Sequence, residues 1–241
     1  MTRPPTYTYN PRTSVWENFS GTTTFGGRSA AVVRRTYLLF GLAVFSALAG
    51  GYIGATSETL ARFFSGWIGW IAALLLLNLV PRIALSVRHN PHLGVAALVG
   101  DGFISGIALS PLLWVARLIA PQLIFMALGI TGFVFIGITL YVMSTPRTFS
   151  APRGLMTGLF FALIGTMVLN SFLHIGMLGI LIGLGIGALG VFTLVYSTSA
   201  ILRTPEADTP IPGALMLFAG VFNVFVAALN ILLRVLNGSR S

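Results

Sequence analysis

The chain has 241 residues, of which 56% are hydrophobic and only 8% are charged. Soluble domains carry about 25% charged residues, so this composition excludes a soluble enzyme, and its apolar content excludes a disordered chain. All 14 basic residues are Arg, against five acids, and the absence of Cys excludes disulfides, thiolate metal sites and Cys nucleophiles. The composition therefore predicts an all-α polytopic membrane protein.

The first 35 residues form a polar tail rich in Thr, Gly and Pro (TRPPTYTYNPR and ENFSGTTTFGGRS). This tail has no apolar periodicity, so we expect residues 1–35 to be extended or disordered unless a partner orders them. Residues 36–238 are predicted to form a transmembrane domain.

Seven apolar runs follow the tail, each close to the roughly 20 residues that cross about 30 Å of hydrocarbon. The predicted spans are 36–56, 64–87, 93–116, 120–143, 154–173, 175–202 and 211–235. Their short connections favour one compact helical bundle. Pro81, Pro111 and Pro121 lie inside or at the edges of these runs, where we expect kinks or turns.

The distribution of Arg predicts the orientation. Ten Arg lie in the tail and in the connections on its side: Arg3, Arg12, Arg28, Arg34, Arg35, Arg82, Arg88, Arg147, Arg153 and Arg203. Four lie on the other side: Arg62, Arg117, Arg234 and Arg240. The positive-inside rule therefore predicts a cytoplasmic N-terminus and an external C-terminus. The arginines are scattered through connections rather than clustered on one face, which argues against nucleic-acid binding.

The sixth run carries a stripe of small residues. At helical spacing one face holds Gly176, Gly179, Gly183, Gly187 and Gly190, with Ser197 further along it. The letters of Gly185-x-Gly187-x-x-Gly190 match a dinucleotide fingerprint, but that motif needs a strand before it and a helix N-terminus at the phosphate. The stripe therefore predicts close helix packing in the membrane, and no cofactor.

The seventh run carries a more polar stripe on one face: Met216, Gly220, Asn223, Ala227, Asn230 and Arg234. An amide in hydrocarbon needs partners, so we expect Asn223 and Asn230 to point toward other helices. Two interpretations stay open: the amides form interhelical hydrogen bonds, or they line a polar cavity.

Asp101 is predicted to lie inside the third span, about 12 Å from its start at 1.5 Å per residue. A charge there costs on the order of 2.5–3.5 kcal/mol, so an ion or proton site is the functional interpretation. The alternatives are a structural pair with Arg82 or Arg88, or a span that begins later and leaves Asp101 at the interface. With Ser105 one turn on, the candidate polar or ion site is Asp101, Ser105, Ser197, Asn223 and Asn230.

No catalytic or metal site is predicted. A serine nucleophile needs a base within hydrogen-bond reach, and His89, His92 and His174 all lie near span ends. The His/Glu pattern of an intramembrane metalloprotease is absent as well.

Taken together, several segments resemble the Bax inhibitor-1 family, most closely its bacterial YccA-like branch, from about Arg34 to Gly238. The segments are RRTYLLFGLAVFSAL, DGFISGIALSPLL, MALGITGFVFIGITLYVMSTPRTFS, LVYSTSAIL and ALMLFAGVFNVFVAALNILL. The resemblance implies a seven-helix bundle with the last helix at its centre. For the YccA-like branch it implies binding and restraint of the FtsH membrane protease.

The resemblance also implies a difference from the ion-leak members of the family. Those members carry a tyrosine-aspartate-threonine motif in the sixth helix and a second aspartate in the seventh, where this chain has Ser197 and Gly220. Two nearby acids can share one proton and switch near neutral pH, which one Asp cannot reproduce. Calcium leak by that mechanism is therefore not expected.

Three hypotheses follow for a protein of the bacterial inner membrane that is not an enzyme. The first is a regulatory or accessory partner of a larger membrane complex, with an FtsH-type AAA protease as the first candidate. The second is a pH-dependent cation or proton leak that uses Asp101 and the amides of the seventh span. The third is a structural subunit of a respiratory or photosynthetic assembly. Membrane lipids are expected partners in all three.

Overall fold

The computed structural model of the protein describes residues 24–25, 28–145, 149, 153–173, 175–203 and 210–238. A two-residue antiparallel pair, β1 (Thr24–Phe25) and β2 (Arg28–Ser29), precedes the first helix. All other elements in this part of the chain are helices, which confirms the predicted all-α class. Most of the predicted tail, including residues 1–23, lies outside the described residues.

Nine helices follow in the described ranges: α1 (Ala30–Thr56), α2 (Glu58–Ser65), α3 (Trp67–Ser86), α4 (Pro91–Ala108), α5 (Ser110–Ile119), α6 (Gln122–Ser144), α7 (Arg153–Leu173), α8 (Gly176–Arg203) and α9 (Pro210–Gly238). Seven of them, all except α2 and α5, have the length and apolar composition to cross a membrane. The prediction of a polytopic seven-helix bundle is therefore confirmed.

The third predicted run is two helices rather than one, because the chain turns at Leu109 between α4 and α5. Pro111 lies in the first turn of α5 and has no N–H to donate to the carbonyl of Ile107, four residues earlier. That carbonyl accepts instead from the Ser110 hydroxyl and from the Leu109 N–H. Hydropathy does not change across this break, so the apolar pattern did not reveal it.

Most other helix ends lie within three residues of the predicted runs, and two larger differences remain. Helix α1 begins at Ala30, before the apolar run that was placed at 36–56. Helix α2 occupies the predicted connection after the first span and is capped by Ser57, whose hydroxyl accepts from the Leu60 N–H. A serine at this position satisfies one of the free N–H groups of a helix start.

Helix α9 lies at the centre of the bundle, where it contacts α1, α3, α4, α5, α6 and α8. This position confirms the central last helix that was predicted. The main buried cluster is built around it and includes Leu98 of α4, Leu194 of α8 and Leu217 of α9.

Helices α1 and α4 pack backbone to backbone. A Cβ atom on Gly50 would collide with the Phe103 carbonyl, and a Cβ on Gly102 would collide with the Ala43 carbonyl. The Ser46 hydroxyl of α1 donates to the Val99 carbonyl of α4 at 2.7 Å. This close pairing holds α4, and with it Asp101, rigidly against the bundle.

Candidate functional site

Asp101 is buried near the middle of α4, with only 4% of its surface exposed. It shares a buried stripe with Leu98 and Ser105, the latter 3% exposed. Gly94 lies on the same stripe and packs directly against Ile211 of α9. The end of this stripe near the start of α4 therefore contacts the beginning of the central helix.

The structural pair that was an alternative for Asp101 is not formed within the described ranges. Arg82 and Arg88 are both exposed, and the ion pair found in this part of the chain joins Arg62 to Glu58 at 2.5 Å. Asp101 lies ten residues after the start of α4, about 15 Å along the helix, and thus not at its end.

The other predicted site residues lie on α8 and α9. Ser197 is 1% exposed, and its hydroxyl donates to the Leu194 carbonyl of the same helix at 3.2 Å. Asn223 and Asn230 are half-buried on α9. Asn230 Oδ1 accepts from Arg234 Nε at 2.8 Å, so its hydrogen bond lies within α9 rather than between helices. Of the residues described, no hydrogen bond joins the five candidates to one another.

Five of the glycines predicted to mediate packing line the contact between α8 and α9, whereas a Cβ on Gly176, the first residue of the predicted stripe, would meet nothing within 4 Å. A Cβ on Gly183 would lie 2.9 Å from Ile231 Cγ1, one on Gly187 would lie 3.2 Å from the Ala227 Cβ, and one on Gly190 would lie 2.9 Å from the Gly220 carbonyl oxygen. Gly179 packs under the Arg234 guanidinium, and a Cβ on Gly220 would lie 2.7 Å from Leu194 Cγ.

A cluster of hydroxyl groups lies between α1, α6 and α8. The Tyr37 hydroxyl interacts with the side chains of Thr198 and Thr139. Tyr37 Oη and Thr198 Oγ1 are buried and have no hydrogen bond of standard geometry. The Thr139 hydroxyl donates to the Phe135 carbonyl of its own helix at 2.8 Å.

Arg203, at the end of α8, caps the end of α6. Its Nη2 donates to the Val142 carbonyl at 2.5 Å and also to the Thr145 carbonyl. The last carbonyls of a helix carry partial negative charge, so a cation is favourable there. One turn earlier, the Ser199 hydroxyl accepts from the Phe149 N–H at 3.0 Å. Neither contact was predicted from the sequence, in which Arg203 contributed only to the predicted orientation.

The arrangement places one buried carboxylate inside the bundle, without a second acid beside it among the residues described. Gly220 contributes no side chain and Ser197 bonds to its own helix. His89 and His92 are exposed near a helix end, and His174 lies outside the described residues. In the same ranges no three His, Cys, Asp or Glu side chains are grouped to hold a metal ion. Chemically, this site can bind one proton but offers no coupled carboxylate pair.

Comparison with known proteins gives a family and several bacterial relatives. A family model described as "Inhibitor of apoptosis-promoting Bax1" matches residues 29–238. An uncharacterized protein of Campylobacter jejuni is 30% identical over 205 residues, which cover 83% of this chain and 87% of that protein. An uncharacterized protein of Neisseria meningitidis is 28% identical over 211 residues, which cover 86% of this chain and 92% of that protein.

A relative from Escherichia coli K12 bears the name "Modulator of FtsH protease YccA". It is 30% identical over 203 residues, covering 83% of this chain and 89% of that protein. Another Escherichia coli strain has an "Inner membrane protein YccA" at the same identity. Neither the family description nor these names denotes an enzyme. The family match and these identities, together with the seven-helix bundle, establish that the chain belongs to the Bax inhibitor-1 family and is similar to YccA.

Proposed function

We propose that this protein is a non-enzymatic regulatory or accessory partner of a larger membrane complex in the bacterial inner membrane. An FtsH-type AAA protease is the first candidate partner. The observation that carries the proposal is the similarity to the relative named modulator of FtsH protease, which extends over 83% of this chain and 89% of that one.

The chemistry of the bundle supports a function by contact. A proton-coupled gate of the kind found in the ion-leak members needs two acids that share a proton. Here Asp101 lies buried on α4. By the family resemblance, Ser197 and Gly220 correspond to the positions where those members have acids. A protein that lacks the coupled pair can still restrain a partner through its helices.

Co-purification from native membranes tests the proposal. The tagged full chain is solubilised in a mild detergent, and the proteins recovered with it are quantified by mass spectrometry. We expect an FtsH-type protease to be enriched over a control purification of an unrelated seven-helix protein. A variant without residues 1–29, which ends the deletion where α1 begins, tests whether the polar tail contributes to docking. Recovery as a free monomer, with or without the tail, contradicts the proposal.

The orientation is part of the same proposal. Ten Arg lie on the side of the N-terminus and four on the opposite side, which favours a cytoplasmic N-terminus and an external C-terminus. In this orientation the polar tail lies on the cytoplasmic side, where it is available for docking to a partner.

A cation or proton leak is the second candidate, because Asp101 is buried without an ion pair in the described part of the chain. Such intramembrane carboxylates mark ion and proton pathways in many proteins. Ion flux into liposomes is measured against pH for the wild type and for Asp101→Asn. A leak through this residue requires flux that Asp101→Asn abolishes, whereas nil or equal flux in both proteins removes this candidate.

A further inference from the structure

A partly open groove of 420 Å³ lies on the side of the bundle between α1, α5, α6 and α9. Its walls are almost entirely apolar and include Leu48, Gly51, Leu113, Ile124, Phe222 and Phe225. A volume of this size falls within the range of about 300–1,000 Å³ that is typical of small-molecule sites.

The groove runs from one end of the bundle into the interior of the membrane. Ala55 and Thr56 line it at the end of α1, and Val44 lines it deeper in the same helix. Ala55 lies 11 positions after Val44, which corresponds to about 16 Å along the helix at 1.5 Å per residue. This is about half of a hydrocarbon core roughly 30 Å thick, so the groove has the depth of one leaflet.

Arg117 stands at the mouth of the groove, in the last turn of α5. Its Nη1 donates to the Ala55 carbonyl at 3.1 Å, and its guanidinium carbon lies 5.8 Å from the centre of the Trp114 ring. These contacts hold the cation in place without neutralising it. No carboxylate in the described ranges pairs with Arg117, so its charge is available to a ligand at the rim.

We propose that the groove binds an anionic phospholipid, with an acyl chain between α1, α6 and α9 and the headgroup phosphate at Arg117. The apolar walls match a hydrocarbon chain, and the depth matches the leaflet on the side of Arg117. A fixed guanidinium matches a phosphate in charge and in hydrogen-bonding geometry. The acyl chain of a zwitterionic lipid fits the walls equally well. Its headgroup has no net negative charge, so its electrostatic attraction to Arg117 is weaker.

Native mass spectrometry of the purified full chain tests this proposal, with phosphatidylglycerol and phosphatidylcholine as probes in separate titrations. We expect one phosphatidylglycerol per chain, bound about fivefold more tightly than phosphatidylcholine, because one Arg near the membrane surface contributes about that factor. Arg117→Gln should remove this preference. Arg62→Gln is the matched control, since it also deletes one charge at α2, which packs against α5, but Arg62 does not line the groove.

A second pair of variants tests the groove itself. Leu48→Trp fills it, and we expect binding of both lipids to fall. Leu42→Trp, at a residue of similar exposure on the same helix (49% against 45%) that does not line the groove, should leave binding unchanged. Equal affinity of the wild type for both lipids, or an unchanged preference in Arg117→Gln, overturns the proposal. Leu48→Trp that reduces recovery of a protein partner but not lipid binding would assign the groove to a partner helix, and also overturns it.

Discussion

At the scale of single residues, the polar groups inside the bundle divide into those that hold the fold and those that are left without a partner. Arg203 belongs to the first kind, because its guanidinium binds the carbonyls of Val142 and Thr145 at the end of α6. Tyr37 Oη and Thr198 Oγ1 belong to the second, since no hydrogen bond of standard geometry reaches them. Asp101 has no ion-pair partner among the residues described.

We expect Arg203→Gln to lower the free energy of unfolding by about 1.5–3 kcal/mol, the range for hydrogen bonds to charged groups. The substitution also leaves the α6 carbonyls without a cation at the helix end. Thermal unfolding in detergent measures the effect. The control is Arg82→Gln, because Arg82 is exposed on α3 and has no such contact. An equal loss of stability in both variants would show that the contact of Arg203 with the end of α6 contributes nothing to stability.

At the scale of helices, the contact between α8 and α9 depends on glycines that leave no room for a methyl group. A Cβ on Gly190 would lie 2.8 Å from the Val224 backbone nitrogen and 2.9 Å from the Gly220 carbonyl oxygen. Backbone atoms cannot rotate away as a side-chain tip can, so one helix must move. Close approach of this kind is how membrane helices gain packing energy.

Gly190→Ala should therefore destabilise the bundle by roughly 1–3 kcal/mol, as overpacking does in a close-packed core. Gly176→Ala is the control on the same helix, because a Cβ there meets nothing within 4 Å. Since alanine is the better helix former, the control should be neutral or slightly more stable. Unfolding midpoints in the same detergent compare the two. A neutral Gly190→Ala contradicts the packing account.

The sequence predicted the helices much better than their interruptions. Seven spans could be found because each apolar run is long enough to cross a membrane, and the stripe on the sixth run could be found from its period. The turn at Leu109 was not predicted because the segments on both sides of it are apolar. Helix α2 was not predicted because it is too short and too polar to resemble a membrane span.

The candidate site was predictable only in part. Asp101 stands out in any sequence, since a carboxylate is costly in hydrocarbon. Its surroundings depend on which helix packs against α4, which no local pattern contains. The same holds for Arg117 and Arg203, whose partners lie 62 and 61 residues away in the chain. Contacts of this range need the fold before they can be recognised.

At the scale of the whole molecule, the bundle combines a tightly packed centre around α9 with a buried carboxylate, Asp101, that has no second buried acid beside it among the residues described. The family match and the 30% identity to the relative named modulator of FtsH protease show that the chain belongs to the Bax inhibitor-1 family. A contact function and a leak function differ in one physical respect. Contact needs no ion gradient, whereas a leak acts only by dissipating one.

Proteolysis in reconstituted vesicles separates these two mechanisms. An FtsH-type protease and a membrane substrate are reconstituted with and without this protein, and degradation is followed in the presence of ionophores that collapse all ion gradients. We predict that the protein slows degradation and that the ionophores do not change this effect. Degradation that is unaffected by the protein, or an effect that disappears with the ionophores, would contradict a function by contact.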